Sequence, residues 1–333
     1  MKPRTALLLS TLLFVATIAV CPLLGSTRID LGAAVASGFD VDRSPDAAIL
    51  LVARLPRILL GALVGGSLAM CGAVFQATLR NALATPFTLG VSAGGALGAV
   101  VAIKVGLTGV VWGFGGLPAA AFAGSALTIV VVWLLARRDG ALPVTALLLS
   151  GITINLTLSS LILFIHYLAD FAESYQMVRW LMGGLDIVDL GVVWRMLPFV
   201  VLGSGVLLWR ARDYNVLSLG DEPAAALGVD VRHLQRTTFL AASLLVGAVV
   251  SAAGPIGFVG LIVPHLVRLM TGPDHRVVLP VSFLFGSAFL IVCDTVARTL
   301  IAPAELPVGV ITAMCGGPFF LWILSRRREE LGS

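Results

Sequence analysis

The sequence predicts an all-α polytopic membrane protein of about ten transmembrane helices, a single domain over residues 1–333, and three observations carry that prediction. The first is composition: 58% of the 333 residues are hydrophobic and 12% are charged, with a mean hydropathy of +1.02. The second is pattern. Apolar runs recur at the length of about 20 residues that a helix needs to cross a hydrocarbon core. The alternation of an outer-membrane barrel is absent, which leaves helices to satisfy the backbone in lipid. The third is the charge between the runs. Ten spans put both termini on one side, and fourteen of the 22 Lys and Arg residues fall there against eight opposite. The positive-inside rule makes that side cytoplasmic. An odd span count would scatter Arg137-Arg138, Arg210/Arg212, Arg232/Arg236 and Arg326-Arg327-Arg328 over both faces.

The first span, 5–25, follows Lys2 and Arg4 and has the outline of a signal peptide; "IAVC" before Pro22 also suggests a lipoprotein cleavage box. Val20 is too bulky for the position before that cysteine, so a retained span is expected. Residues 26–53 read as a mixed polar external connection. In "RLPR", Pro56 takes the first-turn position that proline favours and opens the second span, 56–79. The third, 86–106, contains "GVSAG", a match to the G-x-S-x-G nucleophile elbow. That motif needs a strand before it and acid and histidine partners after it. Here Thr88 to Val101 is one apolar run in which Gly90, Gly94 and Gly98 recur every four residues, so helix packing is expected.

The fourth and fifth spans are 116–136 and 142–168. On the fifth, Asn155 and His166 either face a polar path or hydrogen-bond a neighbour. Residues 170–184 read as a short external helix. Asp170 and Glu173 have capping-box spacing, Phe171, Tyr175, Val178 and Met182 share a face, and Gly183-Gly184 stops it. The sixth span, 190–210, leads into a long cytoplasmic loop, 211–236. Spans at 237–253, 256–270, 277–299 and 306–325 complete the count, with Gly254-Pro255-Ile256-Gly257 making the eighth short and a candidate broken element.

Little chemistry is legible. Cys21, Cys71, Cys293 and Cys315 lie far apart without a C-x-x-C pair, so packing is expected rather than a disulfide or zinc site. No G-x-x-x-x-G-K-[ST] occurs, so the chain has no P-loop of its own. The four histidines show no metal-ligand spacing. Catalysis, a bound cofactor or metal, and a nucleic-acid partner are not expected. Arg54 and Arg57 sit where cations oppose a helix macrodipole, which suits interfacial anchoring or an external acidic partner equally. Arg298 follows Asp294 in the favourable i,i+4 order.

The loop segment "GDEPAAALGVDVRHLQR", 220–236, reads as two short helices. Asp221 caps the first with Glu222 beside it, Gly228 ends it, and Asp230 opens the second. The small face Ala224 to Leu227 suits a shallow cleft on a partner. A stand-alone secondary transporter or channel is the competing reading; such proteins carry inverted repeats and midplane ion sites, and neither is evident.

Three ordered blocks, "RLPRILLGALVGGSLAMCGAVFQATLRNALATPFTLGVSAGGALG", "LSLGDEPAAALGVDV" and "GPIGFVGLIVPHLVRLMTGPDHR", resemble the FecCD-type permease family, the membrane subunits of type II ABC importers for iron–siderophores, haem and cobalamin. The resemblance runs over nearly the whole chain. It implies the type II ABC importer permease fold in a bacterial cytoplasmic (inner) membrane, with both termini cytoplasmic. It also implies a homodimer around an axial pathway, two ATPase subunits that use ATP–Mg, and a periplasmic substrate-binding protein. By this resemblance, Arg54, Arg57 and Arg298 receive glutamates of the binding protein. Asp221, Glu222, Ala225, Leu227, Gly228, Val229 and Arg232 couple to the ATPase. Asn81 and Leu83, with Val144 and Thr145, form a cytoplasmic gate. Ala82 departs from the Asn-Pro-Leu-Ala that relatives usually show, which leaves the gate's shape open. "RWLMGGLD", 179–186, is similar to chelate importers generally and does not separate haem, siderophore and cobalamin.

Overall fold

A computed structural model describes residues 2–331 apart from 26, 28, 108, 112–113, 138–141 and 187–188, with the side chains of 110–114 and 322–331 set aside. Arg28 and Arg138, and the side chains of Arg326, Arg327 and Arg328, therefore lie outside the described residues.

Fifteen α-helices follow in order among the described residues: α1 Pro3–Val20, α2 Leu31–Ala36, α3 Pro45–Ala48, α4 Leu55–Thr78, α5 Val91–Lys104, α6 Gly116–Ala136, α7 Val144–Tyr167, α8 Phe171–Leu181, α9 Leu190–Trp209, α10 Ala211–Leu217, α11 Asp221–Ala226, α12 Val231–Ala253, α13 Val259–Thr271, α14 His275–Thr299 and α15 Val308–Leu331. A two-residue antiparallel pair, Val110–Val111 with Phe114–Gly115, precedes α6. Seven helical segments are long and apolar enough to cross a membrane, and three shorter apolar helices, α5, α13 and Val308–Leu321 of α15, join them. These are the ten expected spans in the expected order.

α4 is the axis of the bundle, with 89% of its span window buried. It packs against α14, α13, α12 and α9. Small residues permit this: a Cβ on Gly72 would lie 1.8 Å from the Gly260 carbonyl oxygen of α13, so the two backbones touch where both residues lack side chains. Gly94 and Gly98 work the same way between α5 and α6, where a Cβ on Gly98 would lie 2.2 Å from the Ala120 carbonyl oxygen. Ser92 is buried, and its hydroxyl has no hydrogen-bond partner among the described residues, which removes the nucleophile-elbow reading. At the other extreme, only 6% of the α7 window is buried. Leu149, Leu156, Leu163 and Phe164 are all exposed on it.

Several local expectations are revised. The helical run that becomes α4 starts at Pro45 rather than 56. Ser44 caps it by accepting from the Ala47 N–H at 3.3 Å. Residues Ile49–Arg54 are π-helical, and that wider turn relieves the carbonyl that would otherwise clash with the Pro56 ring. Arg54 and Arg57 therefore lie well inside a helical run, and the macrodipole argument does not apply to them. α5 begins at Val91 because Gly90 is left-handed, with φ of 77°. α12 begins at Val231, not 237. The break at 254–257 is present: Gly254 has φ of 67° and α13 resumes at Val259. Cys21, Cys71 and Cys293 are buried as packing residues, whereas Cys315 is exposed.

α8 has the anticipated capping box, Asp170 with Glu173. Its buried residue is Met177, however, while Phe171, Tyr175, Val178 and Met182 are exposed. That shared face thus points away from the bundle, as a helix lying on the membrane surface would place it. Met177 reaches the cluster of Ala96, Val100 and Ile162 on α5 and α7 instead.

Candidate functional site

Chemistry-bearing residues gather at the two ends of the bundle. At the end that carries the α10–α11 loop, α10 is bolted to the core. Tyr214 is fully buried and its hydroxyl lies 2.7 Å from the Thr238 hydroxyl of α12. Asn215 donates to the Asp274 carboxylate at 2.7 Å and accepts from the His275 N–H at 2.7 Å, tying α10 to the start of α14. The Asp274 carboxyl is held well below the usual carboxylate range, mainly by hydrogen bonds from Arg276 and then by Asn215.

α11 differs in detail from expectation. Gly220, with φ of 119°, occupies the cap position, and Asp221 is the first helical residue. Its carboxylate pairs with Arg80 at 3.0 Å instead of capping. Gly228 does end the helix, at φ of 88°. Asp230 accepts from the His233 N–H at 2.9 Å, but the helix it opens is the long α12 and not a second short one. The pair of short helices in this loop is therefore α10 and α11. Ala224 is buried against the core, while Ala225, Leu227 and Arg232 are exposed and Val229 is half-buried.

A cleft of about 570 Å³ separates this loop from the start of α7. Asp221, Glu222, Ala225, Val229 and Arg232 line one wall, and Leu142, Pro143 and Val144 line the other. Thr145 is exposed beside it. Asn81 and Leu83 lie in the loop after α4, where the Asn81 side chain accepts from the Leu83 N–H at 2.9 Å and its carbonyl from the Ala84 N–H at 3.0 Å. The asparagine side chain thus holds the turn that a proline at 82 would otherwise preset. Among the described residues no hydrogen bond joins Asn81 or Leu83 to Val144 or Thr145. Arg80, which sequence reasoning passed over, is what connects the Asn81 loop to α11.

At the opposite end, Arg54, Arg57 and Arg298 are brought together and all are enclosed. Arg54 is 6% exposed and donates to the carbonyls of Pro22 and Thr27. Arg57 bonds Asp294 at 2.9–3.0 Å, Glu305 at 2.7 Å and Asp186 at 3.5 Å. Arg298 bonds Asp294 at 3.1 Å. Asp294 is 1% exposed and serves both cations, so the anticipated i,i+4 pair is half of a larger cluster. Glu305 and Asp186 had no local signal, since they meet Arg57 only through the fold. Nearby, Lys104 donates to Glu173 at 2.7 Å and to the Leu168 carbonyl at 2.8 Å, clamping α5 to α8. That hydrogen bond lowers the Glu173 pKa. His166 Nε2 is buried without a hydrogen-bond partner among the described residues.

Seven helical segments long and apolar enough to span a membrane, joined by three shorter apolar ones, place the chain in the class of polytopic helical membrane proteins. Residues 11–326 match the FecCD transport family, and the chain belongs to that family. It is 48% identical over 285 residues, 85% of this chain and 75% of the relative, to the cobalamin import system permease protein BtuC of Halobacterium salinarum. It is 40% identical over 288 residues to the hemin transport system permease protein HmuU of Yersinia pestis, covering 85% of this chain and 84% of that one. A solved structure described as an inward-facing conformation of a metal-chelate type ABC transporter superposes with a TM-score of 0.84 at 30% identity, covering 97% of this chain and 99% of the other.

Proposed function

We propose that the chain is the permease subunit of an ATP-binding-cassette importer that moves a metal chelate (iron–siderophore, haem or cobalamin) across the bacterial inner membrane by alternating access. The single observation that carries this reading is the cleft between α11 and the start of α7. It sets the expected coupling residues Asp221, Glu222, Ala225, Val229 and Arg232 against Val144 of the expected gate. A partner ATPase that engages the exposed Ala225–Leu227 surface would move α11, and the rigid Tyr214 and Asn215 attachments of α10 would pass that movement to α12 and α14. The chain supplies pathway and gates, and ATP–Mg is used by the ATPase pair.

The resemblance supports a homodimer, and the uncovered α7 gives the second copy a surface to meet. The termini and the α10–α11 loop then face the cytoplasm, and the arginine cluster faces the periplasmic binding protein. Docking there requires the partner's acids to share Arg57 with Glu305 and Asp186, whose side chains are each 43% exposed, or to displace them. The buried Asp294 would stay in place.

The test is Leu227→Asp in the assembled transporter. A charge on this 65% exposed leucine leaves the permease folded and inserted but separates ATP hydrolysis from transport. Coupled transport at the wild-type rate in that variant overturns the assignment of α11.

A further inference from the structure

A second cavity, of about 470 Å³, lies at the end of the bundle away from the α10–α11 loop, between α6, α9 and α12. α6 and α9 both pack on α12, and they meet over it through Phe122 and Phe199, whose ring centroids are 5.4 Å apart. That aromatic pair closes the inner end. The floor is small, made by Ala248, Ser251 and Ala252, and Pro118 and Ala119 form a wall. From Gly115 at the mouth to Phe122 the helix rises about 10 Å, so the cleft spans the first turns of the membrane.

Its chemistry is one-sided. Among the described residues Arg195 is the charged member of the lining, and the Ser251 hydroxyl already donates to the Ala248 carbonyl at 2.8 Å. α9, which carries Arg195, turns Trp194, Val201 and Leu202 outward, all exposed. In a membrane-spanning chain this is a lipid-facing surface with an aromatic residue at interface depth. Arg195 has the opposite needs of its two halves met, with an apolar stem along the cleft and a cationic head at its mouth. Its ion pair with Asp189, at 3.2 Å, sits on the rim with side chains 36% and 62% exposed; such solvated pairs hold weakly. A guanidinium carries five donors in a fork that fits phosphate, so a phosphate can share it with Asp189 and its other present partners.

We propose that this cleft is a phospholipid site: the glycerol and upper acyl chain lie in the groove over α12, and Arg195 binds the headgroup phosphate. A polar cargo finds too few partners in such a lining, whereas an anionic amphiphile matches both of its parts. The site lies outside the transport machinery proposed above, rests only on the chain crossing a membrane, and its test needs no transport.

Native mass spectrometry of the purified full-length chain, equilibrated with phosphatidylglycerol or phosphatidylcholine of identical chains, reads the result directly. The expected outcome is a retained phospholipid with a preference for phosphatidylglycerol of about fivefold, the scale of one basic residue at an anionic surface. Arg195→Gln keeps a retained lipid but brings the preference to about one, while Arg195→Lys preserves it. Ala252→Trp fills the floor and removes the retained lipid; if that variant fails to fold, the milder Ala119→Leu gives the same loss. Retention unchanged by either filling variant, or a preference unchanged in Arg195→Gln, means ordinary boundary lipid and overturns the site. Displacement of the lipid by inorganic phosphate at equal concentration reassigns Arg195 to free anions and overturns it as well.

Discussion

At Asp294 a single buried carboxylate balances Arg57 and Arg298, with Arg54 alongside held by backbone carbonyls. Breaking a buried ion pair from one side is costly because the stranded charge stays desolvated, about 3–5 kcal/mol in comparable cases. Asp294→Ala is therefore expected to lower the thermal unfolding midpoint in detergent sharply, while Glu305→Gln, which removes an exposed partner, leaves it nearly unchanged. The i,i+4 half of this cluster was readable from spacing. Its other half joins residues 237 positions apart, and nothing local in the sequence signals such a contact. Asp274 makes a second, pH-dependent statement. Its folded-state pKa is depressed, so its contribution is fully present above the unfolded value of about 3.9 and is lost as pH falls toward the folded one. Wild-type protein is expected to lose more stability between pH 5 and pH 3 than Asp274→Asn, measured by thermal unfolding across that range.

Among elements, the crossing of α4 on α13 is the tightest test of how the bundle is built. Gly72→Ala drives a methyl into the Gly260 carbonyl at 1.8 Å, and backbone cannot yield as a side chain does. The expected cost is at least the 1–3 kcal/mol of ordinary overpacking. Gly205→Ala on α9 meets nothing within 4 Å and is expected to be neutral or to stabilise by up to ~1 kcal/mol, the helix-propensity gain. Thermal unfolding of the two variants side by side checks both. Element types were legible because apolar period and length dictate them: the α8 capping box, the 254–257 break and the glycine-spaced α5 all follow from local residues. Starts were less legible. A π-helical turn at 49–54 carries the helix through Pro56 from the other side, and Asp230 opens a helix whose charged first turns look like loop. The buried side of α8 was not legible, because Met177 contacts α5 and α7, which only the tertiary arrangement supplies.

For the molecule as a whole, ten apolar helical segments form a bundle around a buried α4, with α7 the least covered of its long helices. Order and number of spans came through in the sequence because membrane thickness constrains them residue by residue. The bare helix did not, since a run buried against protein and a run facing lipid or a second copy are equally apolar. The coupling residues are proposed from family resemblance, and the placement of Asp221, Glu222, Ala225, Val229 and Arg232 around one cleft became visible only in three dimensions. The central claim is that this chain transports only when driven through that cleft by a partner. Uptake of cobalamin, haem or an iron–siderophore into vesicles reconstituted with the chain, its binding protein and ATP, with and without the matching ATPase, tests it most directly. The account predicts accumulation of one of these chelates only when the ATPase is present; concentrative uptake by the chain without an ATPase would contradict it.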